Sequence, residues 1–316
     1  MDLLSQTLSG IRFPAPLMGH MRASGDLTIT ATASEDIRFY YIVKGSAALE
    51  TRHEQAFLRT GDFVMVQRCE HYALKVGEGG ETISIADLVA RHALPRWADQ
   101  RNEGDIAQLT IGAPPFSVLI LSGVFSIDSI AADFFTKYLP EVLKLEAPGL
   151  ALGTWLNAAG RALSEEMASP EPGFSAVAVR ALELLFLEAL RTWLARTAHP
   201  PFWWRGVQDP RLHKSLEMIH ANPNHHWRLE DLARISGQSR SVFAKTFADV
   251  LGETPFNYLR RWRINLAAEA LKAGGKSVKE IAAAAGYSNT YPFVRAFTAQ
   301  LGQTPSAYRK QFTPKS

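Results

Sequence analysis

Two short segments near the C-terminal end of the chain carry polar and basic side chains at matching positions. Guanidinium, ammonium, hydroxyl and amide groups can hydrogen-bond to base edges and phosphates, and small apolar side chains can contact a thymine methyl group. This mixture predicts sequence-specific binding of double-stranded DNA. The candidate DNA-binding residues are Arg240, Ser241, Ala244 and Lys245 in the first segment, and Asn289, Thr290, Tyr291, Val294 and Arg295 in the second.

Both segments lie in an internal repeat. The sequence LEDLARISGQSRSVFAKTFADVLGETPFNYLR, which starts at Leu229, is similar to VKEIAAAAGYSNTYPFVRAFTAQLGQTPSAYR, which starts at Val278. Equivalent residues are 49 positions apart up to Gly237 and Gly286 and 50 positions apart beyond the turn, so the second turn has one extra residue. A repeated unit of this kind indicates a repeated element of structure.

Each copy predicts a helix-turn-helix unit. Gly237 and Gly286 suit a turn with positive φ. Ser239 in the first copy, and Ser288 or Asn289 in the second, suit the start of the second helix. Two phenylalanines four residues apart in each copy lie on one helical face. The second helix of such a unit can enter the DNA major groove, with its remaining faces turned to bases and phosphates.

The sequence PFNYLRRWRINLAAEALKA between the copies predicts one connecting helix over Pro255–Ala273. At 1.5 Å per residue it is about 28 Å long, comparable with the roughly 34 Å turn of B-DNA. It could therefore hold the two helix-turn-helix units, which we call the two heads, in successive major grooves. The second helix of each head is its reading helix. Arg260, Arg261 and Arg263 on this helix could bind phosphate or hold the two subdomains together, and we expect the structural role for Arg263.

The charge of the chain is divided unevenly. From Arg205 to the end there are 17 Lys+Arg and 8 Asp+Glu, a net charge of +9, whereas residues 1–204 hold 17 and 23, a net charge of −6. This difference favours a polyanion-binding module attached to a different kind of domain.

The N-terminal part predicts β structure followed by helices. Residues from about 25 to 90 contain short alternating runs separated by turn residues, such as LTITATA, RFYYIVKG, HYALKV and TISIADLV, which favour a small antiparallel barrel or sandwich. Helical patterns follow in DSIAADFFTKYLPEVLKLE, TWLNAAGRALSEEMA and SAVAVRALELLFLEALRTWLARTA. The last helix has more than one apolar face, so it buries both within one subunit or offers one to a second copy of the chain.

The repeat, above all GYSNTYPFVRAFTAQLGQTPSAYR, resembles the signature of the AraC/XylS family of transcriptional regulators over about residues 207–311. The runs YYIVKG and GDFVMVQRCEH resemble two consecutive cupin strands, and about residues 10–200 resemble the cupin-bearing subgroup of that family. The resemblance implies an α+β fold: a cupin-like β-barrel domain over residues 1–125, a helical dimerisation segment and linker over 126–204, and an all-α DNA-binding domain with tandem helix-turn-helix units over 205–316.

The same resemblance implies a homodimer that activates transcription through RNA polymerase at promoter DNA, and the single cysteine and the lack of a signal peptide pattern favour a cytoplasmic setting. A small effector held by the barrel would control it, because a ligand shifts a protein between states only through different affinities for them. The candidate effector-binding residues, which could equally be ordinary core, are Phe39, Tyr41, His53, Phe63, Met65 and His71.

Cys69 is a separate candidate for redox sensing. Adjacent positive charge from Arg68 and His71 can lower the pKa of a thiol, although a free cysteine is often simply buried. Because it is the single cysteine, no internal disulfide is expected.

Enzymatic and membrane functions are not expected. Cupin enzymes hold a metal with several histidines and a carboxylate, but RFYYIVKG lacks a His-x-His pair, Arg38 stands about where the glutamate would be, and His71 is left alone. His20 and His53 would complete a site only in a rearranged geometry. We therefore predict no metal, no cofactor and no catalysis, with a metal-dependent cupin enzyme or an effector-independent DNA binder as alternatives. The chain shows no signal peptide pattern and no apolar run of about 18 residues.

Overall fold

The residues that the structure describes divide into two structural units between Arg196 and Thr197. The computed structural model describes residues 17–32, 37–91, 106–125, 139–146, 160, 162, 164–166, 172–198 and 200–312. Most of the predicted helical sequence between residues 126 and 171 lies outside the described residues.

The N-terminal unit consists of two β-sheets and flanking helices. One sheet has the strand order β11-β6-β3-β10-β1-β9, and the other has the order β5-β4-β7-β2-β8. The elements are β1 Leu17–Ala23, β2 Leu27–Thr32, β3 Ile37–Lys44, β4 Ser46–Thr51, β5 Gln55–Arg59, β6 Phe63–Val66, β7 His71–Val76, β8 Glu81–Ser84, α1 Ile85–Arg91, β9 Ile106–Ile111, β10 Val118–Phe125, β11 Val142–Leu145 and α2 Phe174–Arg196.

The predicted cupin-like β domain is confirmed, but its described strands form two sheets rather than one closed barrel. The six-stranded sheet is covered on both faces. Alternate residues such as Tyr40, Ile42 and Val64 enter the core between the sheets, whereas Phe39 and Phe125 point to the opposite face. There Phe125 meets Phe186 of α2 edge to face, with ring centroids 6.0 Å apart.

Two N-terminal elements differ from the sequence prediction. The run TISIADLV, predicted as a strand, changes to helix α1 after Ser84, because the Ser84 hydroxyl accepts a hydrogen bond from the Asp87 backbone N–H at 3.0 Å and caps the first turn. The end of the predicted helix DSIAADFFTKYLPEVLKLE is strand β11, because this segment pairs with β6. Lys144 of β11 is fixed by an ion pair with Asp62 at 3.2 Å.

The C-terminal unit is helical. Its helices are α3 Phe202–Gln208, α4 His213–Ala221, α5 Leu229–Ile235, α6 Arg240–Leu251, α7 Pro255–Ala273, α8 Val278–Ala284, α9 Thr290–Leu301 and α10 Pro305–Lys310. Helix α3 begins at Phe202, within the end of the segment predicted as a linker, and its Trp203 is buried. No described helix is long and apolar enough to span a membrane.

Candidate nucleic-acid interface

The first helix-turn-helix unit, α5 and α6, surrounds an aromatic core. Phe243 and Phe247 of α6 lie 5.6 Å apart between ring centroids, and Phe247 meets Tyr258 of α7 edge to face at 5.7 Å. Leu216 of α4 and Leu232 of α5 complete this core. The buried phenylalanines fix one face of α6, so its other face is turned outwards.

The second unit, α8 and α9, has nearly the same core. Phe293 and Phe297 are 5.6 Å apart, and Phe297 meets Tyr308 of α10 at 5.6 Å. The predicted equivalence of the two copies therefore extends to the packing of their aromatic rings.

The predicted turn chemistry is present in both copies. Gly237 and Gly286 have φ values of 65° and 80°, a backbone region that side chains with a Cβ rarely adopt. Ser239 accepts a hydrogen bond from the Val242 N–H at the start of α6, and Asn289 accepts one from the Tyr291 N–H at the start of α9. These contacts set where each reading helix begins.

Helix α7 belongs to both cores. Its N-terminal half places Tyr258 and Leu259 in the first core, and its C-terminal half places Ile264, Ala268 and Leu271 in the second. Its bounds, Pro255–Ala273, are those predicted. The two reading helices are therefore attached to one continuous rigid element.

Arg263 has the structural role we expected, although it contacts carbonyl groups and not a carboxylate. Its Nε donates to the Pro223 carbonyl at 2.6 Å, and its Nη2 donates to the His225 carbonyl at 2.9 Å. Burial lowers the pKa of Arg263. Arg261 forms an ion pair with Glu253. Two of the three arginines of α7 are thus engaged inside the domain.

The candidate residues of the first reading helix differ in how freely they can reach DNA. Ser241 and Lys245 are exposed and Ala244 is half-buried. Arg240 is exposed but forms an ion pair with Glu230 at 2.9 Å. This ion pair must open, or Arg240 must share its guanidinium between Glu230 and a base, before Arg240 can bind DNA. Val242, which we did not select from the sequence, is 53% exposed on the same helix; its exposure follows from its position next to the buried Phe243.

Within the second reading helix, Tyr291 and Arg295 are the exposed candidates. Tyr291 is 75% exposed and Arg295 is exposed one helical turn later. Asn289 is exposed but its side-chain oxygen accepts the capping N–H, so its side-chain NH2 remains to donate to DNA. Thr290 is half-buried, and Val294 packs against the second core. Six of the nine candidates are therefore exposed, three in each head, whereas Ala244, Thr290 and Val294 are half-buried.

The effector candidates of the N-terminal unit do not form one site. Four of them are almost completely buried, and they lie on the face of the six-stranded sheet that is turned away from the other sheet: Phe39, Tyr41, Phe63 and Met65. In the sequence, the alternation of residues along a strand separates the two faces of the sheet, but it does not show which face meets the second sheet. Their part in effector binding stays a prediction.

The two histidine candidates come together. His53, in the β4–β5 turn, and His71, at the start of β7, are exposed and border one cleft of about 400 Å³. Its described lining residues are Arg52, His53, Arg68, Glu70, His71 and Glu141. This mixture of cations and carboxylates suits a small polar molecule.

Cys69 is buried and contacts His71 and Glu141, two lining residues of this cleft, but it is poorly suited to oxidation. Burial, together with the nearby Glu141 carboxylate, raises the pKa of the thiol to about 12, and the thiol donates to the His71 carbonyl at 3.0 Å. Oxidants react with the thiolate, which is scarce at neutral pH here. Redox sensing through Cys69 stays a prediction without support from its surroundings.

Among the described residues, no group of three or more His, Cys, Asp or Glu side chains could hold a metal. His20 is used internally: its Nε2 lies 3.1 Å from the Ser164 hydroxyl and its Nδ1 lies 3.3 Å from the Gln108 side-chain oxygen. Burial lowers the pKa of His20. His20 therefore does not complete a site with His53.

A cupin-type sheet domain followed by two helix-turn-helix heads on one helix defines a transcriptional regulator. The cupin family profile matches residues 2–195, and a helix-turn-helix domain profile matches residues 232–311. The chain belongs to the AraC/XylS family of transcriptional regulators and carries a cupin-type N-terminal domain.

Similar proteins have related names. The chain is 27% identical over 317 residues to a putative AraC-like transcription regulator of Streptomyces antibioticus, covering 99% of this chain and 100% of that protein. It is 32% identical over 196 residues to the RCS-specific HTH-type transcriptional activator RclR of Escherichia coli K12, covering 62% of this chain and 69% of that protein. The solved DNA-binding domain of AdpA in complex with a target DNA is 27% identical, covers 33% of this chain and 94% of that one, and has a TM-score of 0.31.

Proposed function

We propose that this protein is a sequence-specific transcriptional activator whose two heads bind successive major grooves of promoter DNA. The observation that carries the proposal is that α7 enters both cores while Lys245 and Arg295 stand exposed on the two reading helices. Activation through RNA polymerase accords with the word activator in the name of one relative.

We propose further that a small effector acts through the N-terminal unit and that the protein works as a homodimer. The cleft at His53 and His71 offers space and polar groups for the effector. For the dimer, Val177 and Leu184 of α2 are 55% and 49% exposed, and residues seven positions apart lie on one side of a helix. This side suits a second copy of the chain, and Leu184→Arg should lower the molar mass measured by light scattering if it does.

The test of DNA binding uses the purified full chain and genomic fragments selected by binding in the presence of competitor DNA. Lys245→Ala and Arg295→Ala should each weaken binding to the selected fragment without lowering the melting temperature, because both side chains are exposed. Binding that is unchanged in both variants would contradict the assigned reading faces. Reporter transcription from the same fragment then decides between activation and repression.

A further inference from the structure

A groove of about 630 Å³ runs between the N-terminal half of α7 and one side of α9, from Tyr291 to Gln300. It lies within the C-terminal unit, which the structure describes completely over residues 200–312. The residues that matter for its chemistry are Asn257, Arg260, Arg261, Tyr291, Arg295 and Gln300. The groove is continuous with the reading surface, because Tyr291 and Arg295 belong to both.

The arginines of the groove are not equivalent. Arg261 is engaged by Glu253, the only carboxylate among the residues that line the groove, and its guanidinium also lies over the Tyr258 ring at 5.6 Å. Arg260 is exposed and donates to the side-chain oxygen of Asn257 at 3.1 Å. Over residues 200–312, neither Arg260 nor Arg295 forms an ion pair with a carboxylate.

The two walls of the groove are held at a fixed distance. Gln300 of α9 donates to the side-chain oxygen of Asn265 on α7 at 2.6 Å and to the Arg261 carbonyl at 3.3 Å. A site whose supporting residues are already in place loses less entropy when a ligand binds. Arg260 on α7 and Arg295 on α9 therefore line opposite walls of a groove that does not have to form on binding.

The expected occupant is an extended anion with one charge per short repeat. A guanidinium binds phosphate oxygens through two parallel hydrogen bonds, and Tyr291 and Arg295 place the groove next to the surface that would meet DNA. We propose that this groove binds the phosphate backbone of the DNA between the two half-sites, with Arg260 and Arg295 each holding a phosphate. This assignment rests on the proposed function and makes Arg295 a backbone contact instead of a base contact.

The assignment separates affinity from sequence preference. A phosphate contact adds to affinity and to its salt dependence, but it carries no direct sequence information. The exposed Tyr291 at the rim of the groove then remains as the base-reading side chain of the second head.

The experiment measures the Kd of the full chain for a selected operator between 50 and 300 mM salt, by fluorescence anisotropy. Loss of one phosphate contact lowers the slope of log K against log salt by about 0.9. We expect this decrease in Arg260→Gln and in Arg295→Gln, and about twice the decrease in the double variant. Arg260→Lys keeps the charge and should keep the slope. Lys214→Gln, an exposed lysine on α4 outside the groove, controls for the loss of one charge.

A second readout compares operators with single base changes. If the groove holds phosphates, the ratio of Kd values between the operator and each changed operator stays the same in Arg260→Gln and Arg295→Gln. An unchanged salt slope in Arg260→Gln, or a change in this ratio of Kd values in either variant, would overturn the phosphate assignment but not the proposed function. Absence of salt-dependent, competitor-resistant binding by the unaltered protein would overturn the proposed function and this assignment with it.

Discussion

The two helix-turn-helix heads have matching interiors and different outer surfaces. Phe247 meets Tyr258 at 5.7 Å in the first head, and Phe297 meets Tyr308 at 5.6 Å in the second. Each reading helix also ends at a glycine in the left-handed region, with φ values of 75° and 73°. Close packing leaves few alternatives for these positions, so the two copies retain the same framework.

The outer surfaces are not constrained in that way. At equivalent positions, the first reading helix presents the short side chain of Ser241 and the second presents the Tyr291 ring. Arg240, which is paired with Glu230, corresponds to Thr290 in the second helix. Different side chains at equivalent positions read different bases. The difference therefore predicts an operator whose two half-sites are unlike each other, and the following substitutions test each side of the comparison.

The largest expected effect is loss of a core ring. Phe247→Ala and Phe297→Ala should each cost about 3–5 kcal/mol of unfolding free energy, the usual cost of such a truncation in a closed core. Because the two aromatic arrangements match, the two costs should agree within about 1 kcal/mol. Urea unfolding of the full chain, followed by circular dichroism at 222 nm, measures both; a large inequality would show that the heads differ inside as well as outside.

The turn glycines should respond unequally. A Cβ at Gly237 would have no atom within 4 Å, whereas a Cβ at Gly286 would lie 2.9 Å from the Arg263 Nη1. Gly237→Ala therefore costs only the left-handed backbone strain of about 1–2 kcal/mol. Gly286→Ala should cost about 1 kcal/mol more, since Arg263 must move away from its two carbonyl partners. Equal midpoints in urea would show that Arg263 relaxes freely.

A third pair of substitutions tests the reading surfaces. Tyr291→Ala should weaken operator binding by about 1–3 kcal/mol and relax the preference at the base it contacts. Ser241→Ala, the matched change in the first head, removes one hydroxyl and should cost less than about 1 kcal/mol. Anisotropy titrations on the operator and its single-base variants measure both. A larger loss from Ser241→Ala would reverse the ranking of the two heads.

Much of the C-terminal unit was predictable because its signals are local. The repeat, the positive-φ glycines, the caps at Ser239 and Asn289 and the bounds of α7 depend on residues close together in the chain, and all were confirmed. Burial within the helices was harder to predict. Val294 was taken as outward-facing but packs against the second core, whereas Val242 was left out although it is largely exposed.

The N-terminal unit was less predictable because its strands are defined by distant partners. Nothing near Val142–Leu145 in the chain shows that this segment pairs with β6. For the same reason, alternation in β3 separates Phe39 and Tyr41 from Tyr40 but does not show which group meets the second sheet and which lies on the same face as Phe125. The cleft at His53 and His71 is formed by three segments that are distant in the chain: residues 52–53, residues 68–71 and Glu141.

A further difference between the heads is a pH dependence that arises from His220 in the first head. Burial lowers the pKa of His220 to about 3; its Nε2 lies 2.7 Å from the Tyr258 hydroxyl, and its ring lies 4.2 Å from that of Trp262. The unfolded chain binds a proton at this histidine near pH 6.5 and the folded chain does not. Stability is therefore full above pH 6.5 and falls as the pH drops towards 3.

Between pH 7.5 and 5.5 the loss from His220 should be about 1.4 kcal/mol of unfolding free energy. Urea unfolding of the unaltered chain and of His220→Gln at both pH values measures this loss. For each protein we compare only the change in unfolding free energy between the two pH values, because any loss of packing in the variant then cancels. The variant should lose about 1.4 kcal/mol less than the unaltered chain. An equal loss in both proteins would place the titrating group elsewhere and remove this distinction between the heads.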